Sequence, residues 1–230
     1  GRAGTKGARS IAVLPFRPLG DDSGNELLGV GMADALIGRL SNLRPLTVLP
    51  TSSVFKYAGR EGDAASVGRA LGVEAVVAGT VQRGGDRVRV TAQLVSVADG
   101  RALWSKTFDE PFKDIFALQD SVSEQLAEAL ELRLTQRERE PMTKPPTRDT
   151  GAYQSYLTGI YFWNRRTKED IGRAVRHFSA AVEKDPGYAL AYAGLAECYG
   201  LRAYYSYAIL PREEAVSRAD EGGRRPKAGA

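Results

Sequence analysis

One histidine, His177, and one cysteine, Cys198, occur in the 230 residues, and those two counts remove most metal and thiol chemistry. A histidine-rich metal site, an internal disulfide and an all-cysteine cluster are all excluded. A Ser-His-Asp hydrolase would have to use His177. That residue stands beside Phe178 in a helical pattern and reads as a half-exposed structural group able to titrate near neutrality. Gly29-Val30-Gly31-Met32-Ala33-Asp34 has the outline of a dinucleotide-binding glycine loop. Such a loop needs a strand directly before it and a small third residue beside the phosphate. Here a polar loop precedes, and Asp34 would repel the phosphate. No Gly-Lys-Ser/Thr occurs, which excludes a P-loop. Asp109, Glu110 and Asp114 form a carboxylate cluster in which Asp114 is placed to cap the following helix. Arg83, Arg87 and Arg89 project from one hairpin with Arg101 nearby, as a solvated sheet face or a surface for anionic or protein partners. These residue types supply no catalytic set, no metal ligands and no cofactor loop.

The elements that carry these residues fall into two patterns. Residues 10–135 read as an α/β domain. Ile11–Phe16 is a near-continuous apolar run suited to a strand buried on both faces. Leu28, Met32, Leu36, Leu40 and Leu43 recur at helical spacing and stop before Pro45. Leu46–Leu49 is a second strand, and Asp63 is placed to cap a short helix that Gly72 ends. Three strands follow, over Glu74–Gln82, Arg87–Val97 and Ala102–Phe108, turned by Gly84-Gly85 and Asp99-Gly100. Val88, Val90, Ala92 and Leu94 alternate with Arg87, Arg89, Thr91 and Gln93, and Val95 fits only with a shift. A helix from Ile115 to about Leu134 completes the order β-α-β-α-β-β-β-α, which predicts a mixed sheet with helices packed on it. Residues 136–150, with Pro141, Pro145 and Pro146, read as a linker. Residues 151–221 are helical in pattern, and residues 1–9 and 222–230 read as flexible tails.

Hydrophobic residues make up 43% and charged residues 26% of the chain, ordinary values for a globular protein with a sizeable core. The net charge of +4 is small, and much of the excess lies at the ends, in Arg2, Lys6, Arg9, Arg224, Arg225 and Lys227. Basic ends on a chain of mixed charge read as solvated tails, so direct nucleic-acid binding is not expected. No run of about 18 apolar residues occurs, and no signal peptide is visible. The first residue is Gly1 rather than Met, which suggests a piece of a longer polypeptide. Cytoplasmic and extracytoplasmic placements both stay open.

From Ala174 to Tyr199 the spacing is that of a tight helix pair. Ala174, Phe178 and Ala181 fall four and three apart, Asp185-Pro186 closes the segment, and Leu195, Ala196 and Tyr199 share the face of the next helix. Small and aromatic residues at those intervals mark a tetratricopeptide (TPR) hairpin, whose apolar face is buried against neighbouring repeats. Ser10–Phe16 (SIAVLPF), Arg69–Val81 (RALGVEAVVAGTV), Arg87–Trp104 (RVRVTAQLVSVADGRALW) and Asp114–Asp120 (DIFALQD) resemble the TolB-like amino-terminal α/β domain of bacterial regulators. Residues 152–199 look like the TPR region that commonly follows it. In similar proteins the pair is joined to a winged helix, a serine/threonine kinase or an adenylate cyclase, as in membrane-linked CadC-like transcriptional regulators. The chain departs from the pattern in two ways: Gly159 to Ala196 spans more than one repeat length, and Arg212–Asp220 gives way to Gly222-Gly223.

The resemblance implies a non-enzymatic sensory or protein-interaction module of a bacterial signalling or transcriptional regulator. A protein, peptide or small ligand would bind in the TPR groove or at the interdomain seam. By the family register Tyr153, Tyr156, Trp163 and Asn164, with Ile160, would line the groove in the first repeat. Glu197, with Leu190 and Ala193, would line it in the second, and Arg165 and Arg166 would stand at its lip. Aromatics beside arginines suit peptide or carboxylate recognition; the other reading makes the same aromatics core. The alternative function is a structural or assembly protein of the cell envelope, since similar α/β domains occur in periplasmic complexes.

Overall fold

Ile11, Ala12 and Val13 have no exposed surface, because β1 (Ser10–Val13) lies inside the sheet. β3 (Thr47–Val48) and β4 (Ala75–Gly84) pair with it in parallel on either side. The antiparallel strands β5 (Arg87–Ser96) and β6 (Ala102–Pro111) extend the order to β3-β1-β4-β5-β6, and the short β2 (Arg17–Pro18) also pairs with β4. This is the mixed sheet the pattern predicts. The computed structural model describes residues 8–20, 23–44, 46–58, 63–132 and 146–205. The chain divides into two compact units, Gly1–Pro145 and Pro146–Ala230. Most of the expected tails, and residues 136–145 of the expected linker, lie outside the described residues.

Phe16 organises the first unit. Its amide donates to the carbonyl of Gly29 at 3.0 Å. A Cβ on Gly29 would lie 2.1 Å from the Phe16 carbonyl oxygen, and one on Gly79 of β4 would lie 2.6 Å from the Phe16 ring. Gly29 belongs to α1 (Ser23–Leu40), so the Gly29–Asp34 segment is helix interior and its first glycine lets a loop approach. Asp34 accepts from Thr51 Oγ1 at 2.7 Å. Thr51 opens α2 (Thr51–Val54), a single turn followed by a 3-10 turn at Phe55–Tyr57. Both are too short to register as a period.

Asp63 caps α3 (Ala64–Leu71) by accepting from the amides of Ala65 and Ser66, and Gly72 ends it at φ 70°. Asp114 departs from expectation, since its side chain caps nothing. It closes a 3-10 turn, Phe112–Asp114, that runs directly into α4 (Ile115–Ala129), and the Ile115 amide is already bonded to the Phe112 carbonyl. α4 also stops sooner than its apolar spacing predicts. Glu131 takes φ 57°, while the Glu131 amide reaches Glu128 and the Leu132 amide reaches Ala127. This is a Schellman closure with a glutamate where glycine is usual, which hid the helix end.

Along β5 the buried side is Val88, Val90, Ala92 and Leu94. Leu94 pairs with Trp104 and Val95 with Ala102, so Leu103 is the additional residue of a bulge, 48% exposed. The hairpin turn is Gly85-Asp86, one residue later than Gly84-Gly85, since Gly84 still pairs with Arg87. Gly85 supplies φ 61° at the first turn position. α1 and α4 are tied by Arg39 Nε and Asp120 Oδ1 at 2.8 Å, with side chains only 9% and 16% exposed. Burial pushes the Asp120 carboxyl up, against the opposing charge and hydrogen bond of Arg39.

The second unit has three described helices, α5 (Thr150–Arg165), α6 (Lys168–Lys184) and α7 (Ala189–Tyr205). Asp149 caps α5 through the Ala152 amide, and Thr167 caps α6 through the Asp170 amide. Phe178 of α6 is fully buried. A Cβ on Gly159 of α5 or Gly194 of α7 would lie 2.5 Å or 2.7 Å from its ring. His177 stacks on Phe162 with centroids 5.6 Å apart and planes 16° apart. Burial, then the charges of Arg176 and Lys184, lower its pKa below the ordinary 6.5.

Gly38 of α1 is exposed, with nothing near its Cβ position. Gly38→Ala is therefore expected to raise stability by about 0.5–1 kcal/mol. Gly159→Val should cost about 1–3 kcal/mol through overpacking against Phe178, and chemical denaturation distinguishes the two. Because the folded state disfavours the His177 proton, unfolded chains bind more protons below the ordinary pKa, and stability falls as pH drops through about 6.5. Above that pH the group is neutral in both states and adds no pH dependence. Thermal midpoints taken between about pH 7.5 and 5.5 should fall more in the native chain than in His177→Gln.

Candidate functional site

The site is assembled where α5 gives way to α6. Arg165 ends α5, and Arg166 adopts φ 59°, the left-handed conformation that turns the chain. A non-glycine residue pays for that conformation with strain of about 1 kcal/mol. The Arg166 guanidinium lies 3.9 Å over the Trp163 ring, a cation–π contact that offsets part of it. Thr167 then caps α6, and the third residue of the new helix is Asp170.

Asp170 is the hub of the turn. Only 4% exposed, it accepts from Thr167 Oγ1 at 2.9 Å, Arg165 Nε at 3.1 Å and Arg173 Nη1 at 3.4 Å. Two guanidiniums and a cap hydroxyl thus balance one buried carboxylate, the arrangement that makes such a charge tolerable. Arg165 Nη1 also donates to the Tyr161 hydroxyl at 3.2 Å. That bond, and then the charge of Asp170, raise the Arg165 pKa above its ordinary value. Arg173 lies 5.3 Å over the Phe162 ring, against which His177 stacks. The turn therefore presents arginines at the surface, held in place by aromatic faces and a buried anion.

The expected site residues fall into three groups. Trp163, Asn164, Arg165 and Arg166 are together at the end of α5, with Asn164 Nδ2 donating to the Ile160 carbonyl at 2.9 Å. Tyr153 and Tyr156 are buried. Tyr156 turns inward, its ring 5.8 Å from Phe178 and 5.1 Å from Tyr188, so it serves packing between helices. Glu197 is exposed on α7 in one stripe with Leu190 and Ala193. Asp170 and the Phe162–Arg173–His177 stack were not anticipated. The Thr167-x-x-Asp170 spacing of a capping box and the four-residue step from Arg173 to His177 were the signals for them.

The sheet arginines do not converge. Arg87 and Arg89 share Asp109, at 2.8 Å and 2.6 Å, and these hydrogen bonds hold the Asp109 carboxyl below its usual range. Arg83 lies on the opposite face, 4.0 Å from the Phe112 ring centre. Among the described residues no group of histidine, cysteine and carboxylates is gathered for a metal ion, and no helix is long and apolar enough to cross a membrane.

Comparison with known proteins places the sheet unit. The chain is 33% identical over 189 residues to "Putative adenylate cyclase 3" of Rhizobium meliloti, which covers 81% of this chain and 32% of that protein. It thus spans about a third of that relative's length. Among solved structures it is similar to TolB from Acinetobacter baumannii, at 23% identity and TM-score 0.38, covering 54% of this chain and 28% of that one. Lipoprotein GNA1162 from Neisseria meningitidis gives 23% identity and TM-score 0.39, covering 52% of this chain and 98% of that one. Residues 7–125, from before β1 through most of α4, match the model of the HilA/YgeH-like transcriptional regulator, second domain. That match covers more than half of the 230 residues, and the chain belongs to this family of regulator domains.

Proposed function

We propose that the chain is a non-enzymatic interaction and sensing module of a bacterial regulator, and that its helical unit, read as TPR-like, receives a protein or peptide partner. The observation that carries this reading is the regulator-domain match over residues 7–125. The helical unit supplies the recognition chemistry. Leu190 is 45% exposed on α7, and Ala193 and Glu197 follow it along the same exposed stripe. Gly159 and Gly194 both abut Phe178, so α5 and α7 run past one another at that level, and the Arg165–Arg166 corner lies beyond it along α5. Apolar Leu190 and Ala193 on α7, with the guanidiniums at the end of α5, suit a short segment that has an apolar stretch and carboxylates. In the longer protein, binding there would alter the geometry presented to an attached effector.

Two measurements test this. The chain given ATP with magnesium or manganese should form no cyclic AMP, and robust turnover there would sink the non-enzymatic reading. In titrations with peptides ending in acidic residues, Trp163 fluorescence should respond, because a bound carboxylate competes for Arg166. Arg166→Ala should weaken that binding by about tenfold. Equal affinity in the variant would remove the corner from the site.

A further inference from the structure

β6 is the last strand of the order β3-β1-β4-β5-β6 and, among the described residues, is paired along one side only, to β5. Ser105, Lys106, Thr107 and Glu110 are exposed, and Asp109 is partly so. A long edge with unused backbone donors and acceptors is a template for another strand, and proteins ordinarily blunt it with proline, bulges or charge. The bulge at Leu103 disturbs only the start of β6, and Pro111 stands at its end. Between them the charges are spaced for self-pairing. Alternate residues share a face, which places Lys106, Phe108 and Glu110 together on one side and Thr107 and Asp109 on the other.

We propose that β6 pairs antiparallel with β6 of a second copy of this chain, about a two-fold axis at Phe108. In that register Lys106 of each copy faces Glu110 of the other, Phe108 faces itself, and Thr107 faces Asp109. An axis at Lys106 would oppose two ammonium groups. An axis at Thr107 would set Lys106 against Phe108 and leave both charges unmatched. Only the Phe108 axis turns the charge that should protect the edge into a pair made twice by symmetry. Lys106 and Glu110 lie four residues apart along one strand, too far to pair with each other within a single chain. The Lys106 ammonium lies 5.3 Å from the centre of the Phe108 ring, already on the face that the pairing would use.

Sedimentation equilibrium of the 230-residue chain tests the pairing. Monomer and dimer should exchange with concentration. Lys106→Glu and Glu110→Lys should each raise the dimer dissociation constant by about tenfold or more, since each places like charges opposite one another twice. The double reversal K106E/E110K restores both pairs and should return the constant to near its native value. Thermal midpoints of dilute samples confirm that each variant folds. A monomer at every concentration, a dimer indifferent to the single reversals, or a double reversal no better than the singles would overturn the proposal. An edge that takes up an extended peptide while the chain stays monomeric would overturn it as well.

Discussion

Each unit is organised around a buried phenylalanine set against two glycines from other elements. Phe16 has its carbonyl against Gly29 of α1 and its ring against Gly79 of β4, and Phe178 has its ring against Gly159 of α5 and Gly194 of α7. Phe16 and Phe178 are 1% and 0% exposed. A ring gains the most from burial when neighbouring backbones can close on it, and glycine is what permits that approach, at some cost in helix propensity. The device fixes the spacing of α1 over the sheet and of α5, α6 and α7 against one another. The Arg39–Asp120 pair, the bulge and the capped turns all refine a geometry that these contacts set.

Much of this was legible in the amino-acid order, for reasons that differ from element to element. β5 was readable because apolar and polar residues alternate as far as Leu94; the misfit at Val95 arises because that residue, on the other face beside Val76 of β4, is buried as well. α3 was readable from both ends, because Asp63 and Gly72 do what their types do best. The end of α4 was hidden, since Glu131 occupies a left-handed position that carries no signature and apolar spacing continues past it. β2 and α2 are shorter than one period and leave no pattern to find.

The helical unit shows the same limit at the level of a site. Register alone placed Trp163, Asn164, Arg165 and Arg166 together because they are consecutive. It could not show that Tyr156 is committed to Phe178 and Tyr188, because aromatic residues have the same spacing whether they line a groove or fill a core. Asp170 escaped notice for a related reason. In sequence it is one acidic residue in a charged helix start, and only burial reveals that it anchors two arginines.

The two ends of the α5–α6 hairpin are fastened differently from its middle. At one end Thr147 Oγ1 donates to Asp185 at 2.5 Å, and Lys184 Nζ reaches the Gly151 carbonyl and Ser155 Oγ at 3.2 Å and 2.9 Å. At the other end Asp170 holds Thr167, Arg165 and Arg173. Helices usually lose their order from the termini inward. With both termini pinned across the pair, neither helix can unravel alone, and a load applied at either end of the hairpin is carried through to the other as through a rigid strut.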